Sequence, residues 1–384
     1  MKTDLRCEPW LTSSASKQVM SLLNDAGHGA WFVGGCVRNA LINEPVADLD
    51  VTTTAHPEIV TSLAKNAGLR VVPTGIEHGT VTVVCEGEPY EITTLRRDVA
   101  TDGRRATVAF AETIEEDAAR RDFTMNALYA DALGNISDPT GGIADLAVRR
   151  IRFIGDASER IREDYLRSLR FFRFYAWYGD VSEGPDPDAL AAISMNLEGL
   201  ETLSKERVGA EIIKLMSAPD PAPAMATMQQ TGVLTHILPG AETGMLAQLV
   251  HIEENIAADP IRRLACVGGE DVAGMLRLSK VQHKALGHLR DEMASLTSLA
   301  EISYRYDFTM AQNVGLLRAN MAGSVLPETE LRAAKHTCNA RFPVSAQDLM
   351  HAYSGKALGD QLKKLEQAWI ASGFALTKDD LLSQ

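Results

Sequence analysis

A chain of 384 residues with 45% hydrophobic and 23% charged content is long enough for two or more domains with real cores. Its five cysteines (Cys7, Cys36, Cys85, Cys266 and Cys338) form no Cys-x-x-Cys pair, and no run has the length of a transmembrane helix or the apolar core of a secretion signal. That pattern offers neither a zinc site nor a disulfide framework, and the expectation is a cytoplasmic protein with no membrane partner. The net charge of −13 leaves a nucleic-acid partner open, because binding depends on local patches rather than on the sum. Arginines crowd two stretches, one at Arg96, Arg97, Arg104 and Arg105 and another from Arg149 to Arg173.

In chain order, a helix is predicted from about Ser14 to Ala26, stopped by Gly27. Trp31-Phe32-Val33 reads as a short buried strand, and Gly34-Gly35 then opens a helix through Leu41. Asp48 to Thr54 has a strand's composition at its Val/Thr end. Pro57 sits near the start of a helix that Gly68 closes, and alternating strands follow at 79–85 and 89–95. Residues 96–110 lack periodicity and are read as a mobile loop. From about Ala157 onward helical periodicity dominates, with a proline-rich break at 218–223.

Three segments carry candidate chemistry. Asp48 and Asp50 are two apart, so on a strand their carboxylates point to one side while Leu49 and Val51 face a core. Paired hard carboxylates suit one or two magnesium ions and an in-line phosphoryl displacement. A polar strand end or half a calcium loop fits the same dipeptide spacing. Upstream, Gly34 and Gly35 allow close backbone approach to a phosphate, and Arg38 adds a charged donor. On its own such a glycine pair is also an ordinary turn.

In the second segment, Arg120 to Asn126, Asp122 and Asn126 share a face on a helical turn and match a ribose hydroxyl pair, with Arg121 toward a phosphate. An ordinary helix start reads equally well. In the third, from Arg162 to Arg173, Tyr165, Leu169, Phe172 and Ala176 form the buried stripe. Glu163, Asp164, Arg167 and Arg170 then lie opposite. Asp164 and Arg167 present an acceptor and a donor edge of the kind that pairs with cytosine or adenine, although surface ion pairs use the same spacing.

The order of these segments resembles the class II tRNA nucleotidyltransferase/poly(A) polymerase family, the CCA-adding enzymes of bacteria. The resembling parts are GGCVRN (34–39), DLDVTTT (48–54), EHGTVTV (77–83), YEITTLR (90–96), RRDFTMNAL (120–128), DPTGG (138–142), EDYLRSLRFFRF (163–174) and ERVGAEIIKLM (206–216). The resemblance implies an α+β fold: a nucleotidyltransferase head with a small mixed β-sheet and helices, then an elongated all-helical neck, body and tail. The expected divisions are a catalytic head at 1–155, a base-recognising neck at 156–217 and an RNA-binding body and tail at 218–384.

It implies Mg2+ on Asp48 and Asp50, both catalytic, and a nucleotide site of Gly34, Gly35, Arg38, Arg121, Asp122, Asn126, Asp164, Arg167, Arg170 and Arg173. Glu91 falls where the family has an acidic residue. Glu206, Arg207 and Glu211 would brace the turn beneath the base pocket. The expected reaction is template-independent addition of CCA, from CTP and ATP, to the 3′ end of tRNA by two-metal phosphoryl transfer, and the sequence sets no oligomeric state.

Alternatives within the family are an A-adding enzyme or a poly(A) polymerase; the arginine-rich signature of the latter is absent at 70–80. A catalytically inactive RNA-binding homologue has no reason to keep Asp48 and Asp50, and a small-molecule adenylyltransferase has no use for the long helical half. One departure is visible: the family usually has Asp after the arginine of its glycine motif, where this chain has Asn39.

Overall fold

The computed structural model describes all residues except 3, 77, 78, 103, 104 and 384, with the backbone alone at 74, 98–102 and 105–108. Glu77 and His78 of the third resembling segment, and Arg104, thus lie outside the described residues. The chain forms two units, Met1–Pro239 and Gly240–Gln384.

In the first unit a seven-stranded mixed sheet runs in the order β3-β4-β5-β2-β1-β8-β9. The strands are β1 (Ala30–Val33), β2 (Leu49–Thr53), β3 (Arg70–Gly75), β4 (Thr80–Cys85), β5 (Glu88–Thr94), β8 (Tyr129–Ala130) and β9 (Ile136–Ser137). All neighbours are antiparallel except β2 and β5, whose parallel register sets Asp50 opposite Glu91 and Val51 opposite Ile92. The two-residue period divides the sheet's faces. Val51, Val81, Val83, Tyr90 and Ile92 are buried on one face. Helices Ser14–Asn24 and Pro57–Asn66 cover this sheet, both stopped by glycines of positive φ at 27 and 68. The opposite face carries Asp50 and Glu91.

Two expectations are corrected. Residues 96–110 are a separate antiparallel hairpin, β6 (Arg96–Asp102) and β7 (Arg105–Phe110), rather than a loop. Backbone pairing across a tight connection builds such a ribbon without a hydrophobic period, and Asp102-Gly103 in the sequence is a hairpin signal. The segment 162–173 is two helices, Ala157–Glu163 and Leu166–Tyr178, interrupted at Asp164-Tyr165. The second is buried almost all round: Leu166, Ser168, Phe171, Phe174 and Tyr175 join Leu169 and Phe172 inside, whereas Tyr165 and Ala176 are only half-buried. A one-stripe reading underestimates a helix packed on several sides.

An aromatic cluster ties this helix to the sheet-bearing part. Phe123 packs at ring-centroid distances of 4.9 Å on Phe153 and 5.2 Å on Phe174, and Phe153 stacks on Phe171 at 5.9 Å. A bridge between Phe123 and Phe153 fixes the backbone beside Asp122, with Ile154 N–H donating to the Asp122 carbonyl. Gly142 closes the same corner, since a Cβ there would run into the Thr124 carbonyl.

The second unit is helical, from Leu246–Glu253 to Lys378–Leu382. Its cores include a cluster of Val344, Leu349, Leu365, Trp369 and Leu381. It also holds a buried ionic group: Glu253 accepts from Arg262 Nε (2.8 Å) and from Arg263 Nε (2.9 Å), and Arg262 Nη1 donates to Asn313 Oδ1. Among the described residues, no helix is long and apolar enough to cross a membrane.

Replacing Phe171, which has no exposed surface, by Ala should lower unfolding stability by about 3–5 kcal/mol. Urea unfolding monitored by tryptophan emission checks this; a loss below about 1 kcal/mol would show that the cluster does not join the two parts.

Candidate active site

The glycine turn is the geometric reference for the site. Gly34 has φ of 74° and ψ of −119°, which a side chain would resist, and it caps the helix Gly35–Leu41. A Cβ on Gly34 would sit 3.6 Å from Arg121 Nη1, and one on Gly35 would sit 3.9 Å from Arg38 Nη2. Two guanidinium groups therefore flank the backbone of the glycine pair, as phosphate oxygens require.

Arg38 is buried, yet its hydrogen-bond partners are all uncharged. Nε and Nη2 donate to Asn39 Oδ1 (3.1 and 2.8 Å), Nη1 donates to Asn126 Oδ1 (2.5 Å) and Nη2 donates to Tyr178 Oη (2.8 Å). The ring of Tyr178 also lies 4.0 Å from the guanidinium carbon. Burial pulls the Arg38 pKa below its ordinary value. Asn39 accepts from Arg38 without bringing a negative charge, so this contact leaves the guanidinium charge uncancelled.

Arg121 is anchored differently. Nε and Nη2 both donate to Asp117 Oδ2 (3.0 and 2.9 Å), Nε also reaches Tyr129 Oη, and Arg120 joins the same carboxylate. Burial pushes Asp117 up, but Arg121 and Arg120 outweigh it and hold the carboxyl below its usual range.

Asp122 and Asn126 meet as expected, at 3.0 Å, but across a short 3-10 turn, Thr124–Asn126, rather than on an α-helix. Asp122 Oδ1 accepts from Asn126 and from Phe123 N–H; Oδ2 accepts from Arg170 Nε and Nη2 (2.8 and 2.5 Å). These four donors match a carboxylate's acceptor capacity. Burial raises the Asp122 carboxyl, and Arg170 outweighs it to leave the pKa lowered.

Asp164 and Arg167 do not pair with each other through their side chains. Asp164, in the break between helices, accepts from Leu166 N–H and from Arg207 Nη2 (2.6 Å). Arg167 donates to Glu163 Oε2 (2.5 Å) and to the Arg160 and Arg120 carbonyls. Half the acceptor positions of Asp164 and the Nε edge of Arg167 remain without partners among the described residues. Arg173 donates to the buried Glu211, which Arg170 approaches at 3.9 Å. Arg207 and Glu211 thus contact the predicted base readers. Tyr178, Asp117 and Glu163's hold on Arg167 were not read from sequence; helical spacing left a signal for the buried acid opposite two arginines, in Asp117-x-x-Arg120-Arg121, and for the i,i+4 pair of Glu163 and Arg167.

Asp50 stands on β2 with Glu91 beside it on β5, and Asp48 directly precedes the strand. Burial and the neighbouring Glu91 raise the Asp50 pKa to about 6, with Asp48 adding to this and Arg121 opposing it. Among the described residues no ion pair or hydrogen bond reaches the carboxylates of Asp48, Asp50 or Glu91, and no group of three such side chains has metal-site geometry.

The family model "Poly A polymerase head domain" matches residues 30–152, and "Probable RNA and SrmB- binding site of polymerase A" matches 185–245. The chain is 33% identical to the mitochondrial CCA tRNA nucleotidyltransferase 1 of Mus musculus, over 97% of this chain and 90% of that protein. It is 40% identical to the CCA-adding enzyme of Geobacillus thermodenitrificans, over 92% and 88%. The chain belongs to the tRNA nucleotidyltransferase/poly(A) polymerase family. Among solved structures it superposes on the Bacillus stearothermophilus CCA-adding enzyme in complex with CTP, with a TM-score of 0.78, 28% identity and 97% and 94% coverage. The Thermotoga maritima CCA-adding enzyme complexed with tRNA shares the fold, at a TM-score of 0.70 and 18% identity over 98% and 95%.

Nucleotidyltransferases of this family generally use divalent metal ions. The residues here fit that use: carboxylates crowd together without a cationic hydrogen-bond partner among the described residues, and burial with Glu91 alongside makes Asp50 hold a proton unusually tightly.

A raised carboxyl pKa contributes stability below the unfolded value of about 4 and loses it as pH rises through about 6. A divalent ion that replaces the proton should therefore raise the melting temperature more at pH 7.5 than at pH 5. Differential scanning fluorimetry with MgCl2 against EDTA measures this. An equal shift at both pH values, or the same difference in Asp50→Asn, would contradict the assignment.

Proposed function

We propose that this chain adds C, C and A, without a nucleic-acid template, to the 3′ end of tRNA from CTP and ATP. The observation that carries this reading is that one segment, Arg120 to Asp122, touches all three predicted parts: Arg121 lies beside Gly34 and opposes the raised Asp50 carboxyl, Asp122 accepts from Arg170, and the Arg120 carbonyl accepts from Arg167. The names of relatives that match nearly the whole chain support the same choice over poly(A) synthesis. An appropriate division is a head at 1–155, a neck at 156–217 and an RNA-binding remainder at 218–384, acting in the cytoplasm.

Asp48 and Asp50 would hold the metal, Mg2+ in the cell, on whatever donors the substrate adds. When bound, the ion acidifies the attacking hydroxyl and neutralises charge on the leaving group. The primer's 3′-oxygen bonds to the α-phosphorus of the incoming nucleotide, the α–β bridging bond breaks, and pyrophosphate leaves. Arg38 and Arg121 neutralise the triphosphate above Gly34 and Gly35. Asp122 and Asn126 select ribose, a ribose hydroxyl taking the place of one internal donor on Asp122.

Base choice rests on Asp164 and Arg167. Asp164 accepts from the exocyclic amine of cytosine or adenine, and the open edge of Arg167 donates to the adjoining ring acceptor. Arg170 and Arg173 assist by holding the surrounding polar frame through Asp122 and Glu211.

Purified protein offered tRNA ending at the discriminator base, or in CC, with each nucleotide should incorporate two C's and then one A. Incorporation of A alone would make it an A-adding enzyme, and a long A tail a poly(A) polymerase. Asp48→Ala and Asp50→Ala should each reduce incorporation by about a thousandfold or more while tRNA still binds. Retained turnover would refute the metal assignment.

A further inference from the structure

Arg38 has a stacked partner from a distant part of the chain. Tyr178 ends the helix Leu166–Tyr178, 140 residues beyond Arg38, and contacts it in two ways. Its hydroxyl accepts from Nη2 at 2.8 Å, and its ring lies under the guanidinium at 4.0 Å. Phe174, one turn earlier, lies 5.2 Å from the same guanidinium, and its ring also meets Arg173 at 4.4 Å and Arg170 at 5.5 Å. Three cations thus surround one aromatic ring, while Asp122 and Glu211 are the carboxylates that contact this group. The excess positive charge lies on Arg38, whose own hydrogen bonds all go to neutral acceptors.

That arrangement does two things at once. Four of the five guanidinium donors of Arg38 are fixed by Asn39, Asn126 and Tyr178, so the plane of the group is set before any ligand arrives. The aromatic face offsets part of the desolvation of a buried cation without cancelling its charge, as a carboxylate would. A buried, oriented and unneutralised cation beside a glycine turn is prepared for an anion.

We propose that Tyr178 is a positioning residue for triphosphate binding: it holds Arg38 against the glycine turn, and so couples the helix that carries the base readers to the phosphate site. This rests on the nucleotidyltransferase reading above. Because Arg38 faces the part of the substrate common to CTP and ATP, losing Tyr178 weakens both nucleotides equally and leaves base choice alone.

The test compares Tyr178→Leu and Tyr178→Phe with the wild-type full chain, by calorimetric titration of CTP and ATP and by steady-state incorporation on tRNA. Tyr178→Leu should weaken both nucleotides about five- to tenfold, in Kd and in KM, with kcat at saturation within about twofold. Tyr178→Phe, which keeps the ring, should lose only about two- to threefold. On an Arg38→Ala background, Tyr178→Leu should add nothing further. Arg167→Ala gives the contrast, changing the preference between C and A.

Wild-type-like affinity in both variants would overturn the proposal. So would a loss confined to kcat, a loss for one nucleotide only, or an additive effect on the Arg38→Ala background. Tyr178→Phe guards against misfolding, since a folded variant with an intact ring still has to show the smaller, nucleotide-independent loss. A wild-type chain that bound neither CTP nor ATP would sink the broader reading with it, whereas normal wild-type binding with indifferent Tyr178 variants would sink this proposal alone.

Discussion

The site depends on a local imbalance of charge enforced by strand pairing. Parallel β2 and β5 place Asp50 and Glu91 side by side, and among the described residues no ion pair bridges them. A few residues away the reverse holds, with Arg38 buried among amides and a phenol. Each half is costly alone, because charges removed from water need a partner. The fold thus holds two electrostatic requirements of opposite sign, and on the function proposed above a metal-bound triphosphate would answer both.

Around that pair of requirements, the remaining polar groups are matched closely. Asp117 takes Arg120 and Arg121, Asp122 takes Arg170, Glu211 takes Arg173, and Glu163 takes Arg167. The predicted base readers are matched only in part: among the described residues, Asp164 and Arg167 are each tethered on one side and open on the other.

Much of the head was legible from local rules. A glycine of positive φ opens the turn before the helix Gly35–Leu41, and a two-residue period puts Asp50 on one face of the sheet and Val51 on the other. Long-range choices were not legible. Arg167 could pair with Asp164 or Glu163 at helical spacing, and only the chain break at Asp164 decides for Glu163. Tyr178 reads as one more core aromatic until the fold brings it to Arg38. The 96–110 hairpin was missed because the reading relied on hydrophobic period, and a ribbon outside the main sheet needs none.

The buried Glu253, with Arg262 on one oxygen and Arg263 on the other, has a consequence for how this chain can change over time. Deleting Glu253 takes the shared carboxylate from two buried guanidinium groups, a penalty of about 3–5 kcal/mol and a large share of what keeps a domain folded. Losing either arginine alone still leaves the carboxylate one ion pair. The glutamate is therefore free to drift only in concert with both arginines, whereas either arginine can go first.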